Sequence, residues 1–310
     1  MSVSVNAPRD VLLCGALSPD ERRAWLAALA AAMPCTRWHD LDEARQQPEA
    51  IEAAVVANPP PGSLQGWPRL RLIQSLWAGV DRLLADPTVP QDVAVARMVD
   101  PAMTQAMTET VLWAVLGLHR RFFAYARQQA SGLWRRHDQR RADEVTVLVL
   151  GAGTMGSAAI EALRQRGYAV TGWRRADGRP ALETCIAQAQ IVVNLLPLTT
   201  LTRGLINTAF LGRLPPGAAV VNLARGAHLV EADLLAALDS GRLGHAVLDV
   251  FETEPLPAGH RFWTHPRVTV LPHAAAATDP RSAAAVVAEN LRRLCCAEPL
   301  LHRVDRQRGY

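Results

Sequence analysis

Three short segments carry side chains able to bind a carboxylate and move a proton. They are "VVNLARG" with Arg225, "LDVFETEPLP" with Asp249 and Glu254, and "TVLPHAAAAT" with His273. A guanidinium offers paired N–H donors that grip a carboxylate in a fork and polarise an adjacent carbonyl oxygen. A histidine can give that oxygen a proton once a hydride has reached the carbonyl carbon. A carboxylate on the far ring nitrogen orients the imidazole and favours its protonated form. Arg225, His273 and Glu254 together therefore suit reduction of a 2-oxoacid. His260 and His265 fall in a predicted loop and read as surface residues.

A hydride needs a carrier, and "GAGTMG" offers a place for one. Gly151, Gly153 and Gly156 follow the apolar run "VTVLVL" and open a helical pattern. Strand, glycine turn and helix in that order are the context that gives G-x-G-x-x-G its meaning. Gly151 allows the tight turn and Gly153 lets a pyrophosphate approach the backbone. Gly156 permits close packing of helix on strand, and the helix start at Thr154 and Met155 turns N–H donors towards the phosphates. No Gly-Lys-Ser/Thr follows, so a P-loop is excluded. About twenty residues on, an acid usually takes the adenosine ribose. Here the chain reads Trp173, Arg174 and Arg175. A carboxylate there would repel an extra phosphate, whereas guanidinium groups pair with it and stack on adenine. The substitution predicts NADP(H).

These groups need elements that bring them together. Apolar runs at 10–16, 53–58, 70–76, 190–196, 218–224, 244–250 and 267–273 read as strands. Helical patterns lie between them, including 18–33 with Ser18 as N-cap and Pro19 at the first position. A long helical pattern covers 103–134 and a final helix follows Pro280. Strands alternating with helices predict parallel α/β sheets, whose ligands gather at the C-terminal strand ends. The first portion reads as a small flavodoxin-like unit, and breaks fall at Asp100-Pro101 and Asp279-Pro280.

Composition narrows the chemistry. The 310 residues suffice for two domains, and 49% hydrophobic with 20% charged residues predicts a folded chain. All 33 basic residues are Arg, which excludes Schiff-base and pyridoxal chemistry on a lysine. Five cysteines with no C-x-x-C argue against a disulfide framework or a metal site, and fit a reducing compartment. The start lacks a basic n-region and no apolar run reaches the length of a membrane span, so a cytoplasmic protein is expected. The Arg-rich stretch 134–144 has mixed sign and no interleaved aromatics, which argues against nucleic acid.

At these motifs the chain resembles the D-isomer-specific 2-hydroxyacid dehydrogenases over nearly its whole length. "GAGTMG", "NLLPLTTLTRGLIN" (194–207), "VVNLARG", "LDVFETEPLP" and "LPHAAAAT" carry the likeness. "QSLWAGVD" (74–81), "RMVDPAMTQAMTETV" (97–111) and "YARQQASGLW" (125–134) resemble the glyoxylate/hydroxypyruvate reductase A branch. The resemblance implies two Rossmann-like, doubly wound domains with the active-site cleft between them. A discontinuous substrate domain would cover 1–98 and 281–310, and the dinucleotide domain 99–280. It assigns catalysis to Arg225, Glu254 and His273, sets Asp249 near the nicotinamide carboxamide, and puts Leu196 and Pro197 at the cofactor. It further implies NADPH, a homodimer through the cofactor domain, and Trp134 of "ASGLW" approaching the partner's site.

One departure is Trp77, where the substrate loop usually begins Gly-Ala-Gly-Val-Asp. The amides of Ala78 and Gly79 can still bind a carboxylate, and an indole at the mouth favours small substrates. The implied activity is NADPH-dependent reduction of glyoxylate and hydroxypyruvate to glycolate and D-glycerate. A dehydrogenase for a larger 2-oxoacid and a non-catalytic NAD(P) sensor are the alternatives.

Overall fold

The computed structural model describes residues 8–310. What the chain's first seven residues suggest about targeting lies outside them. The chain divides into two compact units. One runs from the start of the described residues to Met103 and resumes over Thr278–Tyr310; the other is Thr104–Ala277.

The first unit begins with β1 (Asp10–Gly15), α1 (Pro19–Ala32), β2 (Arg37–His39) and α2 (Leu41–Arg45). It continues through β3 (Ala53–Ala57), β4 (Leu72–Ser75), α3 (Asp81–Ala85) and β5 (Ala94–Ala96). The strands form one parallel sheet in the order β2-β1-β3-β4-β5. β2 and β5 were not legible in the sequence, because three residues are too few to set up a periodicity. α1 starts as its residues dictate: the Ser18 hydroxyl accepts from the Glu21 amide at 3.3 Å, and the Glu21 carboxylate accepts from the Ser18 amide at 2.7 Å.

α4 (Pro101–His119) begins in the first unit and continues into the second, where α5 (Phe122–Ala130) follows. The single helix expected over 103–134 is therefore two. Arg121 adopts a left-handed conformation, φ 63°, and reverses the chain. The turn lays the Phe123 ring edge-on to Trp113 at 5.3 Å and flat on His245 at 5.0 Å, so packing overrides helix propensity. Then come β6 (Thr146–Leu150), α6 (Thr154–Arg164), β7 (Ala169–Trp173), α7 (Gly178–Gln188) and β8 (Ile191–Asn194). α8 (Thr208–Arg213), β9 (Ala218–Asn222), α9 (Glu231–Asp239), β10 (Leu243–Leu248) and β11 (Val268–Val270) complete it. The sheet order is β11-β10-β9-β8-β6-β7, all parallel. Sequence order reverses at β6, which puts a crevice at the C-terminal ends of β6 and β8.

α10 (Pro280–Cys295) returns to the first unit and packs on α1. Its Asn290 donates to Gln74 of β4 at 2.6 Å, and both side chains are fully buried. Both Asp-Pro breaks start helices. Asp279 accepts from the Arg281 amide at 2.9 Å, and Asp100 accepts from the Ala102 amide at 3.3 Å. Asp100 also accepts from the Ser282 hydroxyl at 2.7 Å, tying the two helix starts together.

His245 of β10 gives the second unit a pH signature. Its buried ring lies against Phe123 and its Nε2 is 2.9 Å from the Thr269 hydroxyl. Burial, with Arg127, His265 and Arg267 adding repulsion, pushes its pKa down to about 4. The unfolded chain then takes up a proton near pH 6.5 that the folded chain refuses until about 4, so this contribution to stability is full above 6.5 and falls towards 4. The loss is of order 3 kcal/mol. Urea unfolding of His245→Gln between pH 4 and 7 should show a flatter stability profile than the unmodified protein. Parallel profiles would mean that His245 is charged in the folded state.

Candidate active site

The glycine turn lies where β6 meets the crevice. Gly151 has φ 96°, and a Cβ there would sit 2.7 Å from the Leu195 carbonyl carbon after β8. Only glycine lets the two strand-end turns approach so closely. The Gly151 amide donates to the Trp173 carbonyl at 2.9 Å, and the Gly153 amide returns to the Gly151 carbonyl at 2.8 Å. A Cβ on Gly153 would meet nothing within 4 Å, so the backbone is open on that side. Thr154 is exposed, and Met155 packs partly on the core. The first amides of α6 have no earlier turn to bond, which suits an approaching phosphate.

The stretch at the end of β7 separates into two roles. The Trp173 indole is buried in the core and donates to the Gly178 carbonyl at 3.0 Å. The indole is therefore not free to be the nucleotide contact the sequence suggested; it joins the core with Leu182 and Ile186 of α7, although Ala169 and Thr171 on the same face of β7 are exposed. Arg174 projects the other way, and its Nε donates to the Ala152 carbonyl at 2.7 Å, which pins the guanidinium beside the glycine turn. Arg174 lines a surface groove with Arg164, Ser157, Glu161 and Asp177. Arg175 follows, exposed, in a single 3-10 turn. Asp177 was missed in the sequence reading. It lines the same groove as Arg174, but its carboxylate accepts from the Arg174 amide at 2.7 Å and so closes its own turn.

β9 and β10 deliver the next groups. Arg225 follows β9, half-buried, with Nη1 donating to the Ala224 carbonyl at 2.7 Å. Gly226 next to it leaves no room for a side chain, because a Cβ would run into the backbone of Phe251 and Glu252. The Arg225 turn is thereby seated on the loop that leads to Glu254. Glu254 Oε1 accepts from the Phe251 amide at 3.0 Å, and Glu254 Oε2 lies 2.9 Å from His273 Nδ1. The spacing read from the sequence thus does bring acid and imidazole together. The His273 side chain is 52% exposed and its Glu254 partner 21%, so the ring is open on its Nε2 side to solvent or a ligand.

His273 adopts φ 54°, a left-handed conformation that a non-glycine residue holds at a cost of about 1 kcal/mol. Asp249 provides the compensation. Its carbonyl accepts from the His273 amide at 2.8 Å. Its buried carboxylate accepts from the Ala274 amide at 2.7 Å and the Ala275 amide at 3.0 Å. Burial pushes the Asp249 carboxyl up, while the two amides and His273 pull it down. The sequence suggested a cofactor contact for Asp249; the structure gives it a grip on the turn that carries His273.

Leu196 and Pro197 follow β8. The Leu196 side chain is buried in the core, and the Pro197 carbonyl accepts from the Thr202 hydroxyl at 2.9 Å. Pro197 itself is half-buried, so it and the backbone are what this turn presents. In the other unit Trp77, Ala78 and Gly79 follow β4, all half-buried. The Trp77 amide donates to the Ser75 hydroxyl at 3.0 Å and its carbonyl accepts from the Met98 amide at 3.0 Å, so its backbone is fixed. His260 and His265 serve elsewhere. His260 lies 3.2 Å from Glu231, and the largely buried His265 lies 3.2 Å from Asp239. No group of three or more potential metal ligands occurs among the described residues.

Comparison with known proteins gives the family. The family model "D-isomer specific 2-hydroxyacid dehydrogenase, NAD binding domain" matches residues 112–275. The chain belongs to the D-isomer specific 2-hydroxyacid dehydrogenase family. It is 38% identical over 301 residues to the glyoxylate/hydroxypyruvate reductase A of Klebsiella pneumoniae (strain 342), covering 92% of this chain and 96% of that protein. A D-isomer specific 2-hydroxyacid dehydrogenase from Xanthobacter autotrophicus Py2, solved with NADPH and MES, superposes with a TM-score of 0.91 at 40% identity, covering 98% of this chain and 100% of that one. The NADPH-dependent glyoxylate/hydroxypyruvate reductase of Sinorhizobium meliloti, solved with NADP and sulfate, gives 0.89 at 36%, covering 97% and 99%.

The Asp249 grip is testable by itself. Asp249→Asn keeps the size but turns an N–H2 towards amides that need an acceptor. An unsatisfied buried group costs about 1–3 kcal/mol. The melting temperature should fall, and the amides of Ala274 and Ala275 should exchange with solvent faster than those of neighbouring strands. Unchanged exchange at both amides would show that the turn holds without the carboxylate.

Proposed function

We propose that this protein is an NADPH-dependent reductase that converts glyoxylate and hydroxypyruvate to glycolate and D-glycerate. The observation that carries the reading is the His273 Nδ1 to Glu254 contact of 2.9 Å in the same unit as Arg225 and the glycine turn. The fit of a dinucleotide is supported by the open backbone at Gly153 and by Arg174 pinned at 2.7 Å to the Ala152 carbonyl. Gly151, Gly153, Thr154, Met155 and Gly156 would take the pyrophosphate, and Leu196, Pro197 and Asp249 the nicotinamide side. NADPH bound there supplies the hydride. The remaining η nitrogens of Arg174, with Arg175, would hold the 2′-phosphate. The relatives solved with NADPH or NADP support that choice.

Arg225 holds the substrate carboxylate and polarises the keto oxygen. Glu254 occupies Nδ1 and leaves Nε2 of His273 to give its proton to the developing alkoxide. The carboxylate also balances the imidazolium charge while the proton waits. The protein acts as a homodimer through the unit 104–277, a reading supported by the exposed apolar residues Trp113, Phe122, Leu133 and Trp134 of that unit. Its five free cysteines fit a reducing, cytoplasmic setting.

Steady-state assays with a panel of small 2-oxoacids should show turnover of glyoxylate and hydroxypyruvate, with NADPH preferred over NADH. Arg174→Ser should weaken NADPH binding about tenfold or more and leave NADH nearly unaffected. Arg175→Ser should do less, since its side chain is not pinned. Equal use of both cofactors by the unmodified chain would defeat the assignment of Arg174. His273→Ala should lower kcat by about a hundredfold or more while NADPH still binds, because the proton donor acts in the chemical step. Arg225→Lys should be severe as well, since an ammonium cannot reproduce the fork. Normal turnover in His273→Ala would require a different acid, and no turnover of any 2-oxoacid by the unmodified chain would favour a sensor.

A further inference from the structure

Beneath the Arg225 turn lie three polar side chains to which the proposed reaction gives no part. Asn194 ends β8, Asn222 ends β9, and His228 sits in the short turn after Arg225; all three are fully buried. Asn194 Nδ2 lies 2.9 Å from Asn222 Oδ1 and 3.0 Å from His228 Nδ1. Asn194 Oδ1 accepts from the Leu196 amide at 3.2 Å. Asn222 Oδ1 also accepts from the Ala224 amide at 3.3 Å, and Asn222 Nδ2 donates to the Arg225 carbonyl at 3.0 Å. His228 Nε2 is 3.3 Å from the Pro197 carbonyl.

The backbone partners fix every orientation. A backbone N–H needs an acceptor, and in an Asn side chain only the oxygen accepts, so Leu196 fixes Asn194 and Ala224 fixes Asn222. Asn194 then offers both its hydrogens, one to Asn222 and one to His228. His228 must accept at Nδ1 and donate from Nε2, which makes it the neutral Nε2–H tautomer. Burying three polar groups is costly unless all are paired, and an apolar trio would fill the space more simply. What the polar trio adds is direction. One branch ends on the carbonyl of Arg225, the other on that of Pro197, and Asn194 joins them.

We propose that Asn194, Asn222 and His228 are positioning residues that hold the Arg225 turn and the Leu196–Pro197 turn in one register. The inference rests on the reading of Arg225 as the group that binds the substrate carboxylate. Asn222 governs the substrate branch, His228 the cofactor branch, and Asn194 both. A purely structural core would tie these residues to stability without such a division of labour.

The test uses the purified full chain, reading glyoxylate KM, kcat, NADPH dissociation from tryptophan quenching, and melting temperature. Asn222→Ser should raise glyoxylate KM about tenfold with NADPH binding nearly unchanged. His228→Leu should weaken NADPH binding with a smaller effect on glyoxylate, and His228→Gln, which keeps a donor for Pro197, should recover most of it. Asn194→Ser should shift both. If Asn194→Ser does not fold, the contrast between Asn222→Ser and the two His228 variants decides alone. Lower melting temperatures with both constants unchanged would overturn the proposal, as would the same KM and binding changes in every variant. Arg225→Lys separates the two readings. If it is impaired while Asn222→Ser is not, only the positioning role fails; if Arg225→Lys is normal, both fall.

Discussion

The carboxylate of Asp249 is the interaction on which the geometry of the site depends. His273 is held left-handed at the end of β11, and three hydrogen bonds from the turn to Asp249 keep it there. Without them the turn would relax to an ordinary conformation and the ring would leave Glu254. The cost of burying the carboxylate and of the unusual backbone falls on the fold, and the gain is an imidazole whose position is set before any ligand arrives. That is preorganisation, the condition under which a proton donor contributes most to catalysis.

The parallel sheet explains why so few residues suffice. Every strand of the second unit points the same way, so each strand end delivers its turn to one side. β6 gives the glycine turn, β7 Arg174, β8 the Leu196–Pro197 turn, β9 Arg225, and β10 Asp249 with the loop to Glu254. Neighbouring strands make neighbouring turns touch. Gly151 abuts Leu195 because β6 pairs with β8, and Gly226 abuts Phe251 because β9 pairs with β10. Two small residues thus let four loops close on one another in two pairs.

What the sequence made legible follows from how local each signal is. The glycine turn, the Ser18 cap and both Asp-Pro helix starts were readable because each is settled within a few residues. The contact of Glu254 with His273 was readable for another reason: an acid and an imidazole at strand ends are worth seeking together. The break at Arg121 was not readable: Gly117 leaves room for the Phe123 ring but falls inside the helical pattern, and the seat of Phe123 on His245 lies far along the chain. The buried Asn194, Asn222 and His228 escaped notice too. Polar residues at strand ends are common, and only the adjacency of β8 and β9 turns these into a connected set.

The stretch Trp173, Arg174, Arg175 shows how position within an element changes what a residue type means. The sequence places one aromatic and two cations beside the dinucleotide. β7 is an edge strand whose residues are exposed or half-buried until the last, Trp173, which joins the core formed with Leu182 and Ile186 of α7. Trp173 faces inward and anchors the start of α7 through Gly178. Arg174 is next, and so faces outward, where the carbonyl of Ala152 takes its Nε and fixes the direction of the remaining donors. Asp177 could have supplied the acid that a ribose hydroxyl prefers, yet the Arg174 amide already engages it. The same short turn therefore anchors a cation and engages the neighbouring acid. A preference for a phosphorylated ribose then rests on backbone geometry as much as on the charge of the side chains.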